Sequence, residues 1–202
     1  MIGVGAEDGL WTVTLNRPDK ANALTRDMLT ALDSAVVQAA DAGARALILT
    51  GTGKVFSAGA DLDQARAGLA VDPMWDRVSN RIAALPCLTI CALNGTLAGG
   101  AFGMALACDL RLAVPGASFF YPVMRLGYLP QPADPGRLTA LVGPARAKMI
   151  LMAGARISAA QALDWGLVDR LTDDDLMAEA RMLAADALAA SADHVAAIKH
   201  MV

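Results

Sequence analysis

Two short glycine-containing stretches hold the clearest chemical potential in this sequence: Phe56-Ser57-Ala58-Gly59-Ala60-Asp61 and Asn94-Gly95-Thr96-Leu97-Ala98-Gly99-Gly100. Each follows a strand-like run. Glycine admits positive φ and lets a ligand approach the main chain, so each stretch can present backbone N–H groups as donors. Gly99-Gly100 also opens a helix-like pattern, where unpaired N–H groups and the helix dipole favour developing negative charge. Taken alone, either stretch reads equally well as a tight turn. Asp61 and Asp109 each stand at the end of a conspicuous motif and invite a reading as catalytic carboxylates. Lys20 and Lys54 could meet phosphates as point charges, or simply be solvated. Cys87, Cys91 and Cys108 are odd in number and lack the paired spacing of a zinc site or disulfide framework. They read as reduced core residues of a cytoplasmic protein, with no metal.

The elements that would position these stretches follow from periodicity. Leu10 to Leu15 alternates at period two and stops at Asn16-Arg17-Pro18, a strand running into a turn. Thr25 can cap a helix whose Leu29, Leu32, Val36 and Ala39 share one face, with Gly43 as the stop. Ala46-Leu47-Ile48-Leu49 is a buried strand, and strand–helix–strand predicts a parallel sheet covered by helices. The layering continues with a helix over 73–85, a strand over 87–93, a helix over 99–108 and a strand over 110–114. Beyond Arg137 the chain turns helical. Ser158 and Gln161 have capping-box spacing before Gly166, and 177–190 is a further amphipathic helix. No G-x-G-x-x-G follows the first strand and no Walker lysine loop occurs.

At 202 residues one domain is expected, and the hydrophobic fraction of 55% against 4% aromatics means an aliphatic core. A net charge of −3 without any Lys/Arg block gives no field for nucleic acid or an anionic membrane. Residues 82–108 are uncharged, but Pro86, Asn94-Gly95 and Gly99-Gly100 divide them into pieces too short to span a bilayer. The first eight residues lack the n- and h-regions of a secretory signal.

Order and spacing of motifs give a specific resemblance. Arg17-Pro18, Asn22-Ala23-Leu24, Phe56 through Leu62, Asn94-Gly95, Gly99-Gly100 and Cys108-Asp109 resemble the enoyl-CoA hydratase/isomerase (crotonase) superfamily. The match runs on through Leu126-Gly127, Pro130, Arg137-Leu138, Val142-Gly143, Gly154, Arg156-Ile157-Ser158, Ala162 and Gly166-Leu167-Val168. The resemblance implies one α/β domain over 1–202, a crotonase-like ββα superhelix with its core over about 1–190 and a short C-terminal helical region. It implies an acyl-CoA substrate, no bound cofactor beyond coenzyme A itself, and homotrimers or dimers of trimers. The N–H groups of Ala60 and Gly100 would form an oxyanion hole around the thioester carbonyl, with Ala58, Ala60, Asp61 and Leu62 along the coenzyme A path. Such donors act on charge that grows as a carbonyl becomes an enolate.

The departures are as informative. Counted from Asn94-Gly95 and back from Leu126-Gly127, the two hydratase glutamate positions hold Gly103 and Val123. Neither can activate water or protonate a carbon, so ordinary hydration is not expected. Gln131 stands where some relatives carry a catalytic aspartate. Tyr121, two residues before Val123, can orient a substrate or act as an acid, or simply fill the pocket wall with its hydroxyl satisfied. Arg125 reads as a solvated residue, Asp134 as a helix N-cap, and Asp61 and Asp109 as loop-fixing. His194 and His200 belong to the C-terminal helical tail.

Overall fold

The computed structural model describes residues 1–202. Strand β1 (Ile2–Glu7) turns through Asp8-Gly9, both at positive φ, and pairs antiparallel with β2 (Leu10–Leu15). A two-residue Asp-Gly turn of this kind matches the twist of its flanking strands. The first strand expected from the sequence starts at Leu10 and misses β1, where Ile2, Val4 and Ala6 alternate with Gly3 and Gly5, a residue type depleted from strands. Helix α1 (Arg26–Asp41) is capped by the Thr25 hydroxyl, which accepts the Met28 N–H at 3.2 Å. Its buried face carries Met28, Leu29, Leu32, Val36 and Ala39 at helical spacing.

Three turns of one motif follow. First come β3 (Ala46–Gly51), β4 (Val55–Ser57) and α2 (Leu62–Arg66), joined by α3 (Met74–Ala83) to the next turn. Then β5 (Leu88–Leu93), β6 (Thr96–Ala98) and a 3-10 turn over Gly99–Ala101 lead into α4 (Phe102–Ala107). The third turn is β7 (Leu110–Ala113), β8 (Ser118–Phe120) and α5 (Val123–Leu126). Each turn is therefore ββα. Its long strand enters one sheet and its short strand another.

The remainder is α6 (Asp134–Leu151), broken at Gly143 before Pro144, then β9 (Ile157–Ser158), α7 (Ala159–Trp165), β10 (Arg170–Leu171), α8 (Leu176–Ala189) and α9 (Ala192–Met201). The larger sheet has order β1-β2-β3-β5-β7-β10 and is parallel except for β1–β2. The smaller has order β4-β6-β8-β9, with only β9 antiparallel. Strands buried on both faces read as unbroken apolar runs, as β3 and β5 do. The second sheet is absent from the sequence reading, since three-residue strands carry too few residues to show a period.

Buried charge pins the layers. Asp33 of α1 is paired with Arg77 at 2.8 Å and Arg81 at 3.1 Å, both from α3. Arg111 of β7 is 4% exposed and donates to the Leu167, Cys108 and Asp109 carbonyls and to Asp169. The three cysteines are free and buried, as their apolar setting predicts, and burial pushes the Cys87 thiol up to about 11. No helix is long and apolar enough to cross a membrane.

Candidate active site

The loop after β4 is held open by a buried asparagine. Asn22, at φ +51°, accepts the Arg17 N–H through Oδ1, and its Nδ2 donates to the Thr52 and Val55 carbonyls at 2.9 and 2.8 Å. Its own carbonyl accepts the Ser57 hydroxyl at 2.8 Å, whose oxygen accepts the Gly59 N–H at 3.1 Å. Leu24 then pairs with the loop: its N–H donates to the Gly59 carbonyl, and its carbonyl accepts the Asp61 N–H. With both neighbours bonded toward Leu24, the extended backbone turns the Ala60 N–H to the opposite side. That N–H has no backbone acceptor.

The second loop comes to meet it. Gly59 and Gly99 both have positive φ, +92° and +57°, and a Cβ on Gly59 would stand 3.0 Å from the Ala98 carbonyl and 3.3 Å from the Gly99 Cα. The backbones of the two loops touch there. The demand for positive φ falls on Gly99, while Gly100 lies outside that region. Gly100 sits in the first turn of the helical run Gly99–Ala107, where N–H groups lack an intrahelical acceptor. Gly95 serves the same junction by close approach, since a Cβ there would lie 2.0 Å from the Lys54 carbonyl. Asn94 completes it by accepting the Gly51 N–H and donating to the Gly53 carbonyl.

Between the loops opens a cavity of about 120 Å³, lined by 15 residues of which 11 are hydrophobic. Ala58, Ala60, Leu62, Gly99 and Gly100 all line it, as do Tyr121, Val123, Tyr128 and Gln131. No carboxylate, amine, guanidinium or imidazole is among the lining residues. Trp75 supplies a wall that the sequence reading missed. Its indole lies 3.3 Å from where a Gly100 Cβ would be, and its Nε1 donates to the Leu69 carbonyl at 2.7 Å. The available signal was its place on the face shared with Val78, Ser79 and Ile82 of α3.

The other candidates are distributed as follows. Asp61 does not line the cavity. It accepts from Arg17 at 2.8 Å and caps α2 through the Gln64 N–H, and the guanidinium first, then that N–H, hold its carboxyl below the usual range. Asp109 ties the Thr89 N–H and hydroxyl to Lys199 of α9. Arg125, Lys20, Lys54 and both histidines are exposed, and His194 lines a separate groove beside α9. Asp134 corrects the N-cap expectation. Ala133 is the N-cap residue, and Asp134 is the first residue of α6, 1% exposed, with Oδ2 accepting the Tyr121 hydroxyl at 2.8 Å. A carboxyl turned into the core cannot fold back onto its own helix amides. Desolvation raises it to about 6 and pushes the Tyr121 phenol far above its ordinary value.

Residues 5–202 match the family model described as enoyl-CoA hydratase/isomerase. The chain belongs to this family. YngF of Bacillus subtilis, whose name places it in the same family, is 41% identical over 182 residues, covering 86% of this chain and 70% of its own. The 1,2-epoxyphenylacetyl-CoA isomerase of Escherichia coli is 33% identical over 183 residues, with the same shares of 86% and 70%. Among solved structures, an enoyl-CoA hydratase from Bacillus anthracis superposes with a TM-score of 0.89 at 32% identity, covering 98% of this chain and 81% of that one. An enoyl-CoA hydratase/isomerase from Pseudoalteromonas atlantica gives 0.91 at 31%, covering 99% and 81%. The ββα spiral is thus the crotonase fold that the motif order implies. Within that enoyl-CoA hydratase/isomerase frame, Gly103 and Val123 are both buried and neither bears an ionisable group.

Proposed function

We propose that this member of the family binds an acyl-CoA thioester and stabilises its enolate, and that its reaction is not ordinary hydration. One observation supports this above the rest: two touching glycine loops offer the unpaired Ala60 N–H and the first-turn Gly100 N–H at the edge of one mainly apolar cavity. Donors fixed by backbone lose nothing to reorganisation when charge develops on a carbonyl oxygen, and each typically accounts for about a hundredfold or more in rate. Ala58 and Leu62 would lie along the coenzyme A path, and Asp61, set back from the cavity, would act by fixing the loop through Arg17 and Gln64. The acyl group would enter the apolar part of the cavity, between Trp75, Val123 and Leu126.

The lining also favours a second reading, that of an acyl-CoA binder without turnover, because no ionisable group other than Tyr121 and Tyr128 faces the cavity. A screen of acyl-CoA esters by mass spectrometry, scored for binding and for turnover, separates the two readings. Crotonyl-CoA is expected to bind with hydration negligible, since an acid–base group typically supplies about a hundred- to ten-thousandfold and both glutamate positions lack one. Hydration at about 10 per second, typical of competent enzymes, contradicts the proposal. A cytoplasmic homotrimer or dimer of trimers is the assembly we propose, with the oligomeric number to be read by gel filtration with light scattering.

A further inference from the structure

Gly103 lies in α4 at a position where the resemblance leads one to expect a hydratase glutamate. A Cβ there would stand 2.8 Å from Asp134 Oδ1 and 3.4 Å from Oδ2. The carboxyl of Asp134 therefore fills the volume that a side chain at position 103 would enter, arriving from a different element, the first turn of α6. Its Oδ2 accepts the Tyr121 hydroxyl, while Oδ1 is buried with no hydrogen-bond partner. A buried carboxyl oxygen without a donor is costly, so a purely structural aspartate should have one. Tyr121 leads from that carboxyl to the cavity it lines, its ring stacked on Phe102 with centroids 5.2 Å apart.

We propose that Asp134, acting through Tyr121, takes the place of the missing glutamate as the proton acceptor of this site. The inference rests on the acyl-CoA reading above. In the step it implies, the Tyr121 hydroxyl oxygen takes a proton from the thioester α-carbon while its own proton passes to Asp134 Oδ2. The C–H electron pair forms the enolate double bond, and the carbonyl π pair moves onto the oxygen held by the Ala60 and Gly100 N–H groups. Reversal returns a proton to carbon. Tyr121 is the catalytic group and Asp134 the positioning residue that stores the proton.

The charges around the pair are few. Asp76 of α3, whose Oδ1 accepts the Ala133 N–H, disfavours ionisation of Asp134, while the Tyr121 hydroxyl and Arg137 favour it and desolvation outweighs them. Arg137 is itself held by Ser79 and Asn80 of α3, and α4 presents no charged side chain. A carboxyl raised to about 6 accepts protons only once it is ionised.

The test is exchange of the α-protons of butanoyl-CoA in deuterium oxide, followed by mass spectrometry alongside calorimetric affinity. We expect exchange to rise with pH through a midpoint near 6 and level off above it. Asp134→Asn keeps an acceptor for Tyr121 but cannot take the proton, so exchange should fall about a hundredfold or more with affinity changed less than about threefold. Tyr121→Phe should do the same. Moving the carboxylate back, by Gly103→Glu with Asp134→Gly, should recover part of the exchange, since the glycine at 134 frees the space. Parental exchange in Asp134→Asn or Tyr121→Phe, a flat pH profile, or a parent that binds butanoyl-CoA without exchanging it overturns the proposal. A parent that binds no acyl-CoA overturns the acyl-CoA reading on which it rests.

Discussion

At the scale of single residues, the candidate site depends on where side chains are absent. Gly100→Val places its Cβ against the Trp75 indole, 3.3 Å away, and its branches at the edge of the cavity. Those branches crowd the approach of a thioester to the Gly100 N–H, so acyl-CoA Kd should rise about tenfold or more by calorimetry. Because Gly100 is not at positive φ, the fold should survive, which thermal unfolding checks. Asp134 carries a pH signature. Its folded value, about 6, lies above the unfolded 3.8, so its contribution to stability is present below about pH 4 and lost as pH rises through 6. Asp134→Asn should therefore be more stable than the parent at pH 8, by on the order of 2 to 3 kcal/mol in denaturant titrations, with the advantage gone at pH 4. Ala60 and Gly100 could be singled out from the sequence, since glycine spacing and helix starts are local signals, and both line one cavity. The sequence could not show Asp134 meeting Gly103 and Tyr121, because that contact joins α4, α6 and the β8–α5 connection, 13 to 31 positions apart, and follows from packing alone.

At the scale of elements, the loop that carries Ala60 is a product of its braces. Asn22 joins the turn after β2 to the β3–β4 connection and, through Ser57, to Gly59. Asn22→Ala removes the acceptor of the Arg17 N–H and the donor to the Thr52 and Val55 carbonyls, all part-buried, with Val55 keeping a longer bond from Asn94, a loss of roughly 1 to 3 kcal/mol. The expected outcome is a lower Tm together with weaker acyl-CoA binding, and unchanged binding in a folded variant would show that the loop stands without it. Long apolar runs and the Thr25 and Ser158 caps were legible because they are local and periodic. Strands β4, β6, β8 and β9 were not, since two or three residues gain strand character only from their partners.

At the scale of the whole molecule, the spiral sets the same ββα unit three times, and the first two units deliver the two glycine loops to one cavity. A shared fold does not fix a reaction, and positions 103 and 123 hold glycine and valine, neither of which carries an ionisable group. In the proposed function, backbone N–H groups grip a thioester carbonyl. Calorimetry with butanoyl-CoA and with its S-butyl thioether, which has a CH2 in place of the carbonyl, measures that grip directly. Two hydrogen bonds at a net of about 0.5 to 1.5 kcal/mol each predict that the thioester binds about tenfold tighter. Equal affinity for the two ligands, or no binding of either, would contradict it.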